Sequence, residues 1–323
     1  MKKSILTTTV LSCILALSAC KQGKVATEQH VKLRDHDPFK GEVQSIQKKQ
    51  VKNLNESIGL WFGRFEMESE HLEAQDLLHQ IQEDLWATDS FYDDYEVSEK
   101  SLELFPDKYK KWLYKDPLFG DYRMRKPNAI SIQIDYIKGD SVYGKSVCAG
   151  NERPVRGIAK ADTGNLIRII LNEPGDHPYD GSFSLLLNMD STDLSGSWTP
   201  YNTQMESKRV QLKGIEFNYA PEGEEWDFDR YVFDKNISTV ALTEADVEEQ
   251  SRQRLRLVRN LIYARHGYSF RKKDVRNFFE GYDWYVPLST DVRNELTEIE
   301  KQNIALMKRY EDYAEDYYDN FGR

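Results

Sequence analysis

Ile130-Ser131-Ile132-Gln133-Ile134-Asp135-Tyr136 sets apolar against polar residues with a period of two, the pattern of a strand with one buried face. Gly139-Asp140 follows, and glycine's access to positive φ suits a hairpin turn there. The chain then returns along Val142 to Ala149 as a second strand. The same signature repeats further along. Leu166 to Leu171 and the alternating Phe183, Leu185, Leu187 and Met189 are further strands, separated by the turn formers Asp162-Thr163-Gly164-Asn165 and Asp190-Ser191-Thr192-Asp193. In the last strand Val210 and Leu212 keep one phase, and Ile215, Phe217 and Tyr219 keep the other. A β-bulge at Lys213-Gly214 is predicted to turn both sets inward. With their flanks these segments make about eight strands over 58–219, enough for a small closed antiparallel barrel or a sandwich.

One segment interrupts the meander. Leu72, Leu78, Ile81 and Leu85 predict a helix over 70–88. Phe105 to Lys126 then holds seven basic and three acidic residues among Phe105, Tyr109, Trp112, Tyr114, Phe119 and Tyr122. That stretch suits anionic headgroups or acidic polysaccharide, or a solvated loop pinned by its aromatics. Residues 67–127 therefore read as an insertion between the first and second strands, covering one end of the barrel.

The chain after 242 changes character. Thr243-Glu244-Ala245-Asp246 resembles a capping box, with Asp in place of Glu. Leu255, Val258 and Ile262 form a stripe behind it, and Gly267 can end that helix in left-handed conformation. A short helix near 272–280 offers Val275, Phe278 and Phe279. A last helix is expected from Thr290-Asp291, with Val292, Leu296, Ile299, Leu306, Tyr310, Tyr313 and Tyr317 at heptad spacing and Asn303 in the seam. Pro221, Gly223 and the acids Glu222, Glu224 and Glu225 mark the connection, and Trp226 to Phe233 are a possible extra strand. The fold class is α+β, with strands first and helices after.

The N-terminus carries an address. Lys2 and Lys3 precede an apolar or small-residue run from Ile5 to Ala19, too short to cross a bilayer. Leu17-Ser18-Ala19-Cys20 resembles the lipobox of bacterial lipoproteins. That resemblance implies cleavage before Cys20, lipid on its thiol and amine, and a membrane as first partner; several acyl chains are what a stable anchor needs. Lys21, where inner-membrane lipoproteins often carry Asp, implies outer-membrane sorting. The division is then a signal peptide at 1–19, lipidated Cys20 with a polar tether to 57, the β domain at 58–242, and a helical domain at 243–323. The two leader lysines leave with the signal, so the formal charge of −10 becomes −12 and argues against nucleic acid as a partner. Cys148 is the one cysteine left beyond Cys20, so no intrachain disulfide is expected.

Arg259-Asn260-Leu261-Ile262-Tyr263-Ala264-Arg265-His266-Gly267, with Phe270, Phe278-Phe279, Trp284-Tyr285 before Pro287, and Glu300-x-x-Asn303-Ile304, resembles the YARHG domain over roughly 245–312. The resemblance implies an extracytoplasmic module of bacterial lipoproteins and membrane proteins; it implies no reaction. Val142 to Pro154 and Glu173-Pro174-Gly175-Asp176 are similar to stretches of lipoproteins that carry this domain. Gly59-x-Trp61 resembles the opening of lipocalins, from which the long insertion departs.

Arg259, Asn260, Tyr263 and His266 fall on neighbouring helical turns. With Arg265, Trp284 and Tyr285 they form a candidate binding patch for a glycan, peptide or anionic group. The alternative is a structural network, with Arg265 and His266 bonding the last carbonyls of the helix. No metalloprotease, C-x-x-C, serine-elbow or phosphate-loop motif occurs; Gly139-Asp140-Ser141-Val142-Tyr143 lacks the final Gly. The six histidines lack metal-ligand spacing, and no metal or cofactor is expected. Three readings follow: a non-catalytic binding or adaptor module for cell-wall glycan, peptide or envelope protein; a lipocalin-like carrier of a small apolar ligand; and a hydrolase with dispersed carboxylates.

Overall fold

A computed structural model describes residues 47–48, 58–88, 94–118, 120–163, 165–191, 193–219 and 232–321. Cys20, the leader and the connection at 221–225 lie outside the described residues. Eight strands close an antiparallel barrel: β2 (Gly59–Phe65), β5 (Ala129–Lys138), β6 (Ser141–Cys148), β7 (Asn151–Ala161), β8 (Leu166–Asn172), β9 (Gly181–Asn188), β10 (Asp193–Pro200) and β11 (Lys208–Glu216). Each pairs with its neighbour in up-and-down order, and β11 pairs back onto β2. The barrel, not the sandwich, is the outcome. Two residues of the expected tether, Gln47–Lys48, form β1 and pair with Glu216 and Ile215 of β11. The last pair between β10 and β11 is Asp193 with Lys213, so beyond it the edge of β11 is open, and β1 takes it up.

The period-two residues fill the interior. Trp61, Ile130, Ile132, Ile134, Val155, Ile169, Leu171, Phe183, Leu185, Leu187, Trp198, Val210 and Leu212 are buried together. A Cβ added at Gly63, Gly144, Gly157 or Gly196 would come within 2.0 Å of a neighbouring strand's carbonyl oxygen. These positions let the sheet bend tightly enough for eight strands to enclose a solid core rather than a cup.

The expected bulge at Lys213-Gly214 is absent. The β11–β2 register runs unbroken from Val210↔Phe65 to Ile215↔Leu60. Val210, Leu212 and Gly214 face inward. Ile215 and Phe217 face outward, where they meet Leu60, Phe62, Val286 and Leu288. The phase switch therefore marks a change of partner: the outer face of β11 and β2 is covered by the helical domain. The irregularity that the barrel does contain lies in β5, between Ile134 and Tyr136.

The insertion comprises α1 (Ser69–Thr88), α2 (Asp94–Leu104), a 3-10 helix (Asp107–Trp112) and a hairpin of β3 (Leu113–Lys115) and β4 (Tyr122–Met124). It builds its own small core from Ala74, Leu78, Phe105, Tyr109 and Trp112. Leu72, expected on the buried stripe, is exposed, and His71 takes the inward place. His71 stacks on Trp112 at 5.1 Å, which an aliphatic stripe could not foretell. The hairpin lies against the helical domain, with Lys126 bonded to Asp283.

That domain has α3 (Glu244–Val247), α4 (Arg252–Arg265), α5 (Lys273–Glu280) and α6 (Glu298–Phe321). The expected helix from Thr243 to Gly267 is two helices. The capping box at Thr243 and Asp246 forms, but Ser251 caps a new helix by accepting from the Arg254 amide. Gly267 takes φ +73° after α4, as a helix terminator should. The last helix starts later than Thr290. Thr297 and Glu300 make a reciprocal cap, the Thr297 amide donating to Glu300 Oε2 and the Glu300 amide to Thr297 Oγ1. Val292 and Leu296 are buried in the segment before it.

Candidate functional site

The last three residues of the motif each fasten a different segment. Leu255, Val258, Leu261 and Ile262 bury one side of α4, so Arg265 and His266 emerge where α4, α6 and the incoming chain meet. Arg265, 3% exposed, donates to Ser238 Oγ at 3.1 Å and Asn236 Oδ1 at 3.4 Å. Asn303 of α6 holds the same incoming segment from the other side. Its Nδ2 donates to the carbonyls of Ile237 and Val240, and its Oδ1 accepts from the Leu242 amide.

His266 reaches Glu300. Its Nε2 lies 2.9 Å from Glu300 Oε2, and its ring stacks on Tyr219 at 4.0 Å. Tyr219 lies just after the last barrel strand and donates its hydroxyl to Glu300 Oε1 at 2.6 Å. Glu300 is fully buried. Burial alone would push its carboxyl up, but the bonds from His266, Tyr219 and the Thr297 amide reverse that and hold it at about 2. One carboxylate thus caps α6, fixes the motif histidine and grips the chain leaving the barrel.

Gly267 admits a strap. A side chain there would collide with Leu288 at 2.7 Å, and the Gly267 carbonyl accepts from the amides of Leu288 and Ser289. The strap, residues 286–290, lies on the barrel. Ser131 on β5 donates to the Pro287 carbonyl. Glu152 on β7 accepts from Ser289 Oγ and the Thr290 amide, each at 3.0 Å. Beside it, the Gly150 amide donates to Ser269 Oγ. Ala149 and Gly150 both take positive φ, 50° and 77°, in a tight turn, and a side chain at Gly150 would meet the Arg271 backbone. The Cys148-Ala149-Gly150-Asn151 stretch is therefore a docking turn.

The remaining candidate residues do not share one surface with these. Arg259 pairs with Glu311 of α6 bidentately, its Nε and Nη2 donating to Oε1 and Oε2. Asn260 donates back to the Arg256 carbonyl. Tyr263 is half-buried beside Tyr268. Trp284 and Tyr285 are in the domain core among Phe270, Phe278 and Phe279, and the Tyr285 hydroxyl donates to the Tyr268 carbonyl at 2.7 Å. Glu300, Tyr219, Asn236 and Ser238 were missed as partners. Only Glu300 left a local signal, the Thr297-x-x-Glu300 cap.

Other clusters are closed in the same way. Glu173 accepts from Ser146 Oγ, the Gly181 amide and Trp198 Nε1. Asp180 grips Arg153 and accepts from the Gly175 and His177 amides. Both carboxylates of that barrel end are engaged by donors. In the basic aromatic stretch Lys108 and Lys111 lie over the rings of Tyr109 and Trp112 at 4.2 and 4.1 Å, and those rings are buried. A cavity of about 150 Å³ separates the β3–β4 hairpin from α5, lined by Tyr114, Asp116, Arg123, Lys126, Phe278 and Tyr282. Among the described residues no cluster of metal-binding side chains occurs, and no helix is long and apolar enough to cross a membrane.

Residues 230–312 match the family model of the YARHG domain. The chain thus carries a C-terminal YARHG domain, docked on an eight-stranded barrel. No curated protein and no solved structure matches the chain.

Proposed function

We propose that the chain is an exported lipoprotein, cut before Cys20 and anchored by lipid on that cysteine. Its barrel and YARHG domain serve as one non-catalytic binding or adaptor module, with cell-wall glycan, peptide or another envelope protein as partner. The observation that carries this reading is the filled barrel. Trp61, Phe183, Trp198 and the isoleucines of β5 occupy the space where a carrier would hold an apolar ligand. The buried motif residues are engaged within the domain, which leaves the half-buried edge of α4, Asn260 and Tyr263 beside the Arg259–Glu311 pair, as the part of the motif that reaches the surface. Lys21 after the cysteine favours the outer membrane.

The test has two arms. A fatty-acid analogue should label the wild type and not Cys20→Ala; label kept on the variant contradicts the anchor. Pull-down of the lipidated protein from crosslinked envelopes should then recover one partner class that Arg259→Ala and Tyr263→Ala lose. Equal recovery by both variants contradicts the α4 edge as the binding face, and turnover of a cell-wall fragment contradicts the non-catalytic reading.

A further inference from the structure

One acid in the seam between barrel and YARHG domain has a carboxylate that is only half engaged. Glu280 ends α5 and is 2% exposed. Its Oε1 accepts from the amide of Ala129, the first residue of β5, at 3.1 Å. Among the described residues its Oε2 has no hydrogen-bond partner. The nearby cations are directed elsewhere. Arg64 of β2 donates to the carbonyls of Pro127 and of Glu280 itself. Arg276 of α5 donates to the Arg271 carbonyl at 3.1 Å, and its own buried Nε has no partner among the described residues. The remaining titratable groups facing Glu280 are Cys148 of β6 and Tyr285 of the loop after α5, while Asp283 faces Arg64.

We propose that Glu280 is a pH-operated latch of this seam, closed when its carboxyl is protonated and loosened when it is ionised. A buried carboxylate with one oxygen unsatisfied is costly. The neutral acid lowers that cost, since an unpaired hydroxyl is less costly to bury than an unpaired charge, and still accepts from Ala129. Burial pushes the Glu280 carboxyl up, against the pull of Arg64, Arg276 and the Ala129 amide, to about 7. The folded value lies above the ordinary one. Its stabilisation is therefore complete below about 4.5 and lost as pH rises through about 7. The neighbours do not share that window. Burial pushes the Cys148 thiol up to about 12 and the Tyr285 phenol well above its usual range. Glu152, across the seam, lies below the usual carboxylate range because the Lys145, Thr290 and Ser289 bonds outweigh its burial.

Hydrogen exchange on the full chain tests the latch. From pH 6 to pH 8, after correction for intrinsic exchange, protection of the Ala129 and Gly150 amides should fall by up to about tenfold. Glu280→Gln, which keeps an acceptor for Ala129 and cannot ionise, should abolish the fall. The same fall in Glu280→Gln overturns the proposal. Should that variant not fold, the carbon-13 carboxyl signal of Glu280 in the wild type decides. A midpoint near 7 that moves with the Ala129 amide supports the latch, and a midpoint below 5 overturns it.

Discussion

The barrel and the YARHG domain bury side chains of different kinds. Inside the barrel the strands contribute isoleucine, leucine, valine, phenylalanine and tryptophan, with Ser146 and Glu173 as a polar pair toward one end. The YARHG domain buries Arg265, His266, Asn277, Glu280, Glu300 and Asn303 beside its aromatic core. A barrel of hydrogen-bonded strands has its backbone groups satisfied by neighbours and needs only volume inside. A short helical domain meets its incoming chain, its helix ends and its docking strap at one junction. The exposed backbone groups there need side chains to bond them. Apolar burial tolerates loss in proportion to the volume removed, whereas a polar hub fails when any one partner goes.

That contrast orders the expected effects. Glu300→Ala and Arg265→Ala should each destabilise the fold by about 3–5 kcal/mol, the first because His266 stays buried without its carboxylate, the second because Ser238 and Asn236 are both left buried without their donor. Denaturant melts would show this, and a native midpoint for Arg265→Ala would remove Arg265 from the junction. Leu185→Ala in the barrel should cost about 3 kcal/mol through its cavity, and by the same amount at pH 4 and pH 7. The Glu300→Ala deficit should instead shrink in acid. The Glu300 carboxyl is held at about 2, below the usual 4.5, so its stabilisation is present above 4.5 and lost as pH falls toward 2, about 3 kcal/mol in all. A Glu300→Ala deficit that stays constant down to pH 2.5 would contradict the network.

The periodicity of Ile130 to Ile134 made the strands legible, because strand period and inward face are local properties; Tyr136, on the same phase, is exposed beyond the register shift in β5, and closure into a barrel rather than a sandwich is not local. The insertion's place and the left-handed Gly267 were legible for the same reason. The junction was not, since Tyr219 and Glu300 are 81 residues apart and Arg265 and Ser238 are 27 apart; no local pattern couples them. The phase switch at Gly214 was visible in the sequence. Its meaning was not, because it depends on Val286 and Leu288 covering the outer face.

Smaller effects sharpen the contrast further. Glu280→Gln should stabilise the protein at pH 8 by about 2–3 kcal/mol and leave it unchanged at pH 4.5, since only the ionised wild type is strained. A gain that is equal at both pH values would trace it to something other than charge. Arg259→Ala should cost about 1–3 kcal/mol, because the largely buried Glu311 carboxylate loses its bidentate partner. A loss as large as that of Arg265→Ala would extend the junction across the whole of α4.

The claim that the motif is a structural junction is tested most directly by a double-mutant cycle between His266 and Glu300. His266→Gln, Glu300→Gln and the double variant are compared with wild type in denaturant melts at pH 7. The account predicts a coupling energy of about 2 kcal/mol, within the range for bonded neighbours, so that the double variant is barely worse than either single one. Losses that add to within about 0.5 kcal/mol would show that His266 and Glu300 do not act together, and would contradict it.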